Sequence, residues 1–220
     1  MFAARSIVTG MVAFAVSLAV STPLCAAEPF TRAQALTAIE DVAPDVRRTA
    51  VERLGEVGTM ADADRLVARL RDDDPKVREL ATAALWEIWG RSGDPSIDAL
   101  YQRGVEQMAG AQLVAALTTF SEIIKRQPAF AEGWNKRATI YFLLGQFELS
   151  MQDCDEVLKR NPNHFGALSG MGQMHVMLGQ PQQAIEYFER ALKVNPNLEG
   201  AAQALVLLKR QVEQRPGRSI

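Results

Sequence analysis

Few side chains in this sequence could do chemistry, and their spacing argues against catalysis. Among 220 residues there are two histidines and two cysteines. His164 follows Asn161-Pro162-Asn163 in a loop, and His175 sits where a helix wants a large packed side chain. Neither belongs to an HExxH pair, and there is no CxxC, phosphate-cradling glycine loop or GxSxG elbow. Asp72-Asp73-Asp74 could hold a cation, but no glycine-turned loop with a closing Glu follows. The run instead reads as a helix cap, with Asp74 at the N-cap and Pro75 at the first helical position. Arg47 and Arg78 could face an acidic partner, or pair with acids of a neighbouring repeat, which is the reading adopted. These features predict a chain with no metal, no cofactor and no enzymatic activity.

The elements that would position these residues are repeated. Ala131–Pro162 holds two amphipathic helical segments, a turn at Gly145-Gln146 and a closing Asn161-Pro162. Shifted forward by one unit the pattern returns: Ala138 becomes Gly172, Gly145 becomes Gly179, and Asn161-Pro162 becomes Asn195-Pro196. Shifted the other way it returns as Leu100, Gly104, Ala116, Phe120, Ile124 and Pro128. The first helix of each unit needs a small residue (Gly104, Ala138, Gly172) where the second helix crosses closely. That second helix supplies Phe188 in the third unit but Cys154 in the middle one, with Ser150 beside it where the third has Ala184. Cys154 is read as a small buried hydrophobe, with an intermolecular disulfide or reactive thiol as the alternative. Each Pro disfavours helix in the residue before it and so helps to end its unit.

A helix–turn–helix period of roughly 34 residues, closed by Pro, resembles the tetratricopeptide repeat (TPR) family. The resemblance implies three units over 97–196, and Leu198–Gln214 reads as a final helix that caps the stack. A second, shorter period lies upstream. Val46-Arg47 matches Val77-Arg78, Ala50 matches Ala81, and Leu54 matches Leu85. This pattern resembles HEAT repeats of the phycobiliprotein-lyase type, over residues 28–92. Thr31 and Gln34 have capping-box spacing at its start. Two such units cannot bury their faces alone, and Gly90–Pro95 is too short for a free linker. The expected fold is therefore all-α: one α-solenoid of about two HEAT-like repeats, three TPR units and a capping helix. Ile97–Ala109 should stack on Leu85–Trp89, with Trp86 or Trp89 packed at the junction rather than exposed as a binding anchor.

Residues 1–27 are expected to be a leader rather than part of the fold. Arg5 precedes the apolar run Ile7–Val20, and Ala27 ends a small-residue site. This resembles a cleavable bacterial secretory signal, with an uncleaved anchor or lipidation at Cys25 as alternatives. Cleavage would leave Cys154 as the one cysteine, no membrane span, and a periplasmic or secreted chain. Residues 215–220 are expected to be a disordered tail. The formal charge of −2, about −3 without Arg5, carries no basic excess, and no aromatic–basic interleaving points to nucleic acid.

Where a partner would bind follows from the TPR resemblance, which implies a concave groove lined by the first helix of each unit. In this chain those positions hold Tyr101, Val105 and Met108, then Asn135, Thr139, Phe142 and Leu143, then Ser169, Gln173, Val176 and Met177, with Asp98 and Glu132 at the unit starts. A peptide or partner helix could lie there, unless Phe142, Leu143 and Met177 are covered by other elements. The Lys/Asn/Arg clamp with which one TPR subclass grips a C-terminal carboxylate has only Lys136 at a matching position; Tyr101, Val105, Gly166 and Gly170 occupy the others. The resulting expectation is a non-catalytic interaction adaptor of the bacterial cell envelope, with a protein or peptide partner. A self-associating structural envelope protein is the alternative, and a lyase-like enzyme the third.

Overall fold

The computed structural model describes residues 28–214; the expected leader and tail lie outside the described residues. Those residues form eleven α-helices and one short 3-10 turn, with no strand among them. The fold is an all-α solenoid. The upstream part holds α1 (Arg32–Ala38), α2 (Pro44–Val57), α3 (Ala63–Arg69) and α4 (Pro75–Trp89). Three antiparallel pairs follow: α5 (Pro95–Ala109) with α6 (Leu113–Arg126), α7 (Ala131–Leu143) with α8 (Phe147–Arg160), and α9 (Phe165–Met177) with α10 (Pro181–Val194). Helix α11 (Glu199–Glu213) packs on α10 and ends the stack.

Local sequence sets these boundaries. Thr31 and Gln34 form a reciprocal capping box at α1. Asp74 and Asp94 accept first-turn N–H groups of α4 and α5, each followed by Pro. Gln127, Asn161 and Asn195 end α6, α8 and α10 with φ of −136°, −138° and −121°, the extended backbone that a following Pro imposes. The turn inside each pair needs a left-handed residue. Gly145 and Gly179 supply it at φ 72° and 68°, and Ala111 takes the same place in the first pair at φ 57°.

Packing follows the repeats. In the upstream part Ala50, Val51 and Leu54 of α2 and Val77, Ala81 and Leu85 of α4 are buried together. Arg47 donates two hydrogen bonds to Asp72, at 2.8 and 2.6 Å, and another to the carbonyl of Asp41. Arg78 repeats the carbonyl contacts one unit later, to Asp72 and Asp73. Asp72 and Asp74 are both engaged by guanidinium groups, those of Arg47 and Arg48.

One packing expectation is corrected. Helix α4 does not stack along α5. Its Trp86 and Trp89 pack instead on His164 and Phe165 at the start of α9, and Phe165 joins the upstream core. The reason is visible at Gly166: a Cβ there would lie 2.5 Å from the Trp86 ring, so the small residue lets the indole settle against α9. The upstream part thus folds back across the loops that precede α9 and α11. Arg71 donates to the carbonyls of Lys193 and Val194, and Asn197 donates to the Leu70 carbonyl at 2.8 Å.

Candidate functional site

Two features stand out on the first-helix face of the three pairs, one closed and one open. The closed one is a buried polar cluster where α4 meets the pairs. Glu132 is 1% exposed and His164 is fully buried. The Ala167 N–H donates to His164 Nδ1 at 3.0 Å, so that nitrogen carries a lone pair. The proton then sits on Nε2, which donates to Glu132 at 2.9 Å. Asn135 donates to the same carboxylate at 2.9 Å, and Lys136 Nζ lies 3.2 Å away. Burial pushes the Glu132 carboxyl up, but His164, Lys136 and Asn135 outweigh it and hold the group below its ordinary value. Trp89 stacks on the His164 ring at 4.5 Å, and Lys136 lies over the rings of Trp86 and Tyr101. Glu132, His164 and Lys136 are already engaged within the chain, so this cluster is a fastening between the two repeat types.

The open feature is a cavity of about 330 Å³ between α7 and α9. Asn135, Thr139, Phe142 and Leu143 line it from α7, and Gly166, Ala167, Ser169, Gly170, Gln173 and Met174 from α9. Ala138 forms part of its wall, and Ser150 and Cys154 of α8 reach it from behind. Ser150 spends its hydroxyl on the Ala138 carbonyl at 2.8 Å. Burial pushes the Cys154 thiol up to about 12, helped by the Asp153 and Asp155 charges, so it stays protonated. The lining is apolar with a rim of amides and hydroxyls.

Of the residues expected in the groove, the cavity gathers Asn135, Thr139, Phe142, Leu143, Ser169 and Gln173. It leaves out five. Tyr101 is buried against Phe120 and Phe130 at the covered end, and Val105 and Met108 pack on the core of the first pair. Val176 and Met177 lie beyond the cavity at the end of α9, 44% and 60% exposed; Leu143, 59% exposed, stands at the matching place on α7. Glu132 belongs to the buried cluster rather than to the open surface. Sequence reasoning missed Ala138, Ser150, Cys154, Gly166, Ala167, Gly170 and Met174 as lining residues, although the departure at Ser150 and Cys154 was readable in the repeat. His175 is buried, stacked on Tyr187 and bonded to Gln180 at 2.6 Å.

With that geometry in hand, the comparisons with known proteins agree on the kind of repeat. The family described as tetratricopeptide repeat matches residues 131–164 and 166–198, and HEAT repeats match residues 26–86. The chain therefore carries both kinds of repeat. It is 35% identical over 94 residues to a TPR repeat-containing protein of Rhizobium etli. That match spans 42% of this chain and 46% of the relative, so the chain spans about half the length of the curated protein it resembles. Among solved structures it is similar to the first TPR of Spaghetti (RPAP3) bound to an HSP90 peptide. The TM-score is 0.51 and the identity 21%, over 53% of this chain and 93% of that one. The Sgt2 TPR domain from Aspergillus fumigatus is similar to the same degree, TM-score 0.51 at 21% identity, over 58% and 89%. At that identity the likeness describes the fold. No helix of the described residues is long and apolar enough to cross a membrane.

Proposed function

We propose that the chain is a non-catalytic protein–protein interaction adaptor of the bacterial cell envelope, exported by its leader to the periplasm or beyond. It binds a peptide or partner helix in the groove between α7 and α9. The observation that carries this reading is the open cavity of about 330 Å³ on the first-helix face, within the size range of ligand sites. Its apolar lining and amide rim suit an extended segment, whose side chains need apolar contact and whose backbone needs hydrogen-bond partners. A peptide bound to a TPR domain in one structural neighbour supports the same mode. The carboxylate-clamp mode is not carried over. Lys136 is engaged by Glu132 and covered by Trp86.

The groove is tested with Thr139→Arg/Gln173→Arg, two exposed cavity residues on facing helices whose replacement blocks the opening and spares the core. In-cell crosslinking from the envelope fraction should capture a partner with the native chain and lose it with this variant, while circular dichroism stays helical. An unchanged captured set sinks the groove reading. A second reading, self-association as a structural envelope protein, is favoured by Val206 and Leu207 on α11, at 50% and 65% exposure. Recovery of the chain alone, as a stable oligomer broken by Val206→Glu/Leu207→Glu, would select it.

A further inference from the structure

The cavity stands where the other two pairs hold a phenylalanine ring. In the first pair Phe120 packs so tightly on Gly104 that a Cβ there would lie 2.6 Å from its ring. In the third, Phe188 packs on Gly172 with a Cβ clearance of 2.8 Å. Both rings are buried. One repeat from each of them, the middle pair has Cys154 in place of the ring and Ala138 in place of the glycine. The single methyl of Ala138 and the thiol of Cys154 are much smaller than a benzyl group, and the space opens to the groove with both residues in its lining. Close-packed interiors do not leave such room without a consequence for packing.

We propose that this space is a socket for one aromatic side chain of the partner, which supplies from outside the ring that the middle repeat lacks. The proposal rests on the groove reading above and narrows it to a class of ligand. Charge selects the occupant further. None of the thirteen lining residues is charged, and Lys136 is committed to Glu132. The socket therefore takes an uncharged aromatic group and disfavours an acidic one, whose desolvation nothing in the lining would offset. Met174 lies in the wall and can adjust to the ring, as thioethers do against aromatic edges. The exposed amide of Gln173 can meet the backbone that carries the ring, while Asn135 keeps its Nδ2 on Glu132.

The test uses N-acetyl-L-phenylalaninamide and N-acetyl-L-alaninamide as probes on the full chain. Their binding is read from the Met174 methyl signal of protein labelled at methionine methyls. The phenylalanine probe should shift Met174 saturably and bind roughly tenfold or more tightly than the alanine probe, from the apolar area it buries. Equal response to the two probes overturns the proposal, whatever any variant does. The second arm restores the repeat pattern with Ala138→Gly/Cys154→Phe, the glycine making room for the ring as in the other pairs. This variant should unfold at the same or higher temperature and lose the Met174 response; an undiminished response overturns the socket. The crosslinking experiment separates the two levels. A partner lost from Thr139→Arg/Gln173→Arg but kept by the filled variant leaves the groove and removes the socket. A partner kept by both removes the groove, and the socket with it.

Discussion

His164 shows how much one side chain can be asked to do. It caps α9 through Nδ1, donates to Glu132 through Nε2 and stacks under Trp89. Around it and in the upstream repeats, carboxylates are held below their ordinary values by bonded donors and nearby cations. Arg48 does so for Asp74, which is lowered to about 2, and Arg32 for Asp62. For Asp72, burial opposes the shift and Arg47 overcomes it; for Glu132, the hydrogen bonds from His164 and Asn135 and the charge of Lys136 do so together. The sign follows directly. Each group stays ionised in the folded chain at pH values where the unfolded chain has taken up a proton, so folding is favoured above the unfolded values near 4. For Asp74 that contribution drains away as pH falls from about 4 to about 2, and for the others it is likewise lost on the acid side of the unfolded value. Tryptophan fluorescence and circular dichroism across pH 7 to 2 should show stability flat at first and then falling over that window; a loss centred near pH 6 would contradict it. The sequence placed His164 only in a loop after Asn161-Pro162-Asn163. Its partner Glu132, on the helix one repeat earlier, is visible only when the two repeats are stacked.

Helix ends were far more legible than helix contacts. Proline two residues past α6, α8 and α10, and an aspartate–proline pair opening α4 and α5, mark boundaries by local sterics and capping, which need no tertiary context. The register of the TPR units also exposes an element in strain. Ala111 holds the left-handed conformation that Gly145 and Gly179 hold in the later turns. A Cβ in that region costs roughly 1–2 kcal/mol, so Ala111→Gly should raise stability by up to about 1 kcal/mol after the added unfolded-chain entropy of glycine is subtracted. Urea unfolding at neutral pH checks this, and a destabilisation would mean the turn is not strained. In the same register Cys154 and Ser150 announced a weakly filled middle pair. In the structure Met171 and Met174 pack with Ala138 and Cys154, and the room that remains beside them faces the groove, an outcome of three-dimensional packing.

At the scale of the whole molecule, the kinds of repeat and their order were readable from two distinct periods, the shorter one upstream. The way the two parts meet was not. A solenoid pattern implies contact between neighbours in sequence, which led to the expectation of α4 stacked on α5. The contacts that override it come from polar loop residues: Asn163 on Asp64, Asn197 on Leu70, Arg71 on Val194, with separations of 99 to 127 residues. Asn163 and Asn197 recur one repeat apart, but a repeat position marks the loop and does not say which distant segment it will meet.

That fold-back changes how the chain should come apart. An open array with only nearest-neighbour coupling behaves as a one-dimensional system, and its terminal units fray independently of its middle. Here the segment between α3 and α4 bonds to the loop before α11, so the two ends of the described array are tied to each other. With Trp134→Phe and Cys154→Ser as the background, Trp86 and Trp89 report the upstream seam, and a fluorophore on an introduced cysteine at Gln203 reports α11. Their urea transitions should coincide, as a single cooperative unit requires. Arg71→Ala/Asn197→Ala should split them, with α11 melting at lower denaturant than the tryptophans. If the native transitions are already separate, the seam is not coupling the ends. If they coincide, this is a repeat protein that unfolds as a closed loop rather than as a zipper.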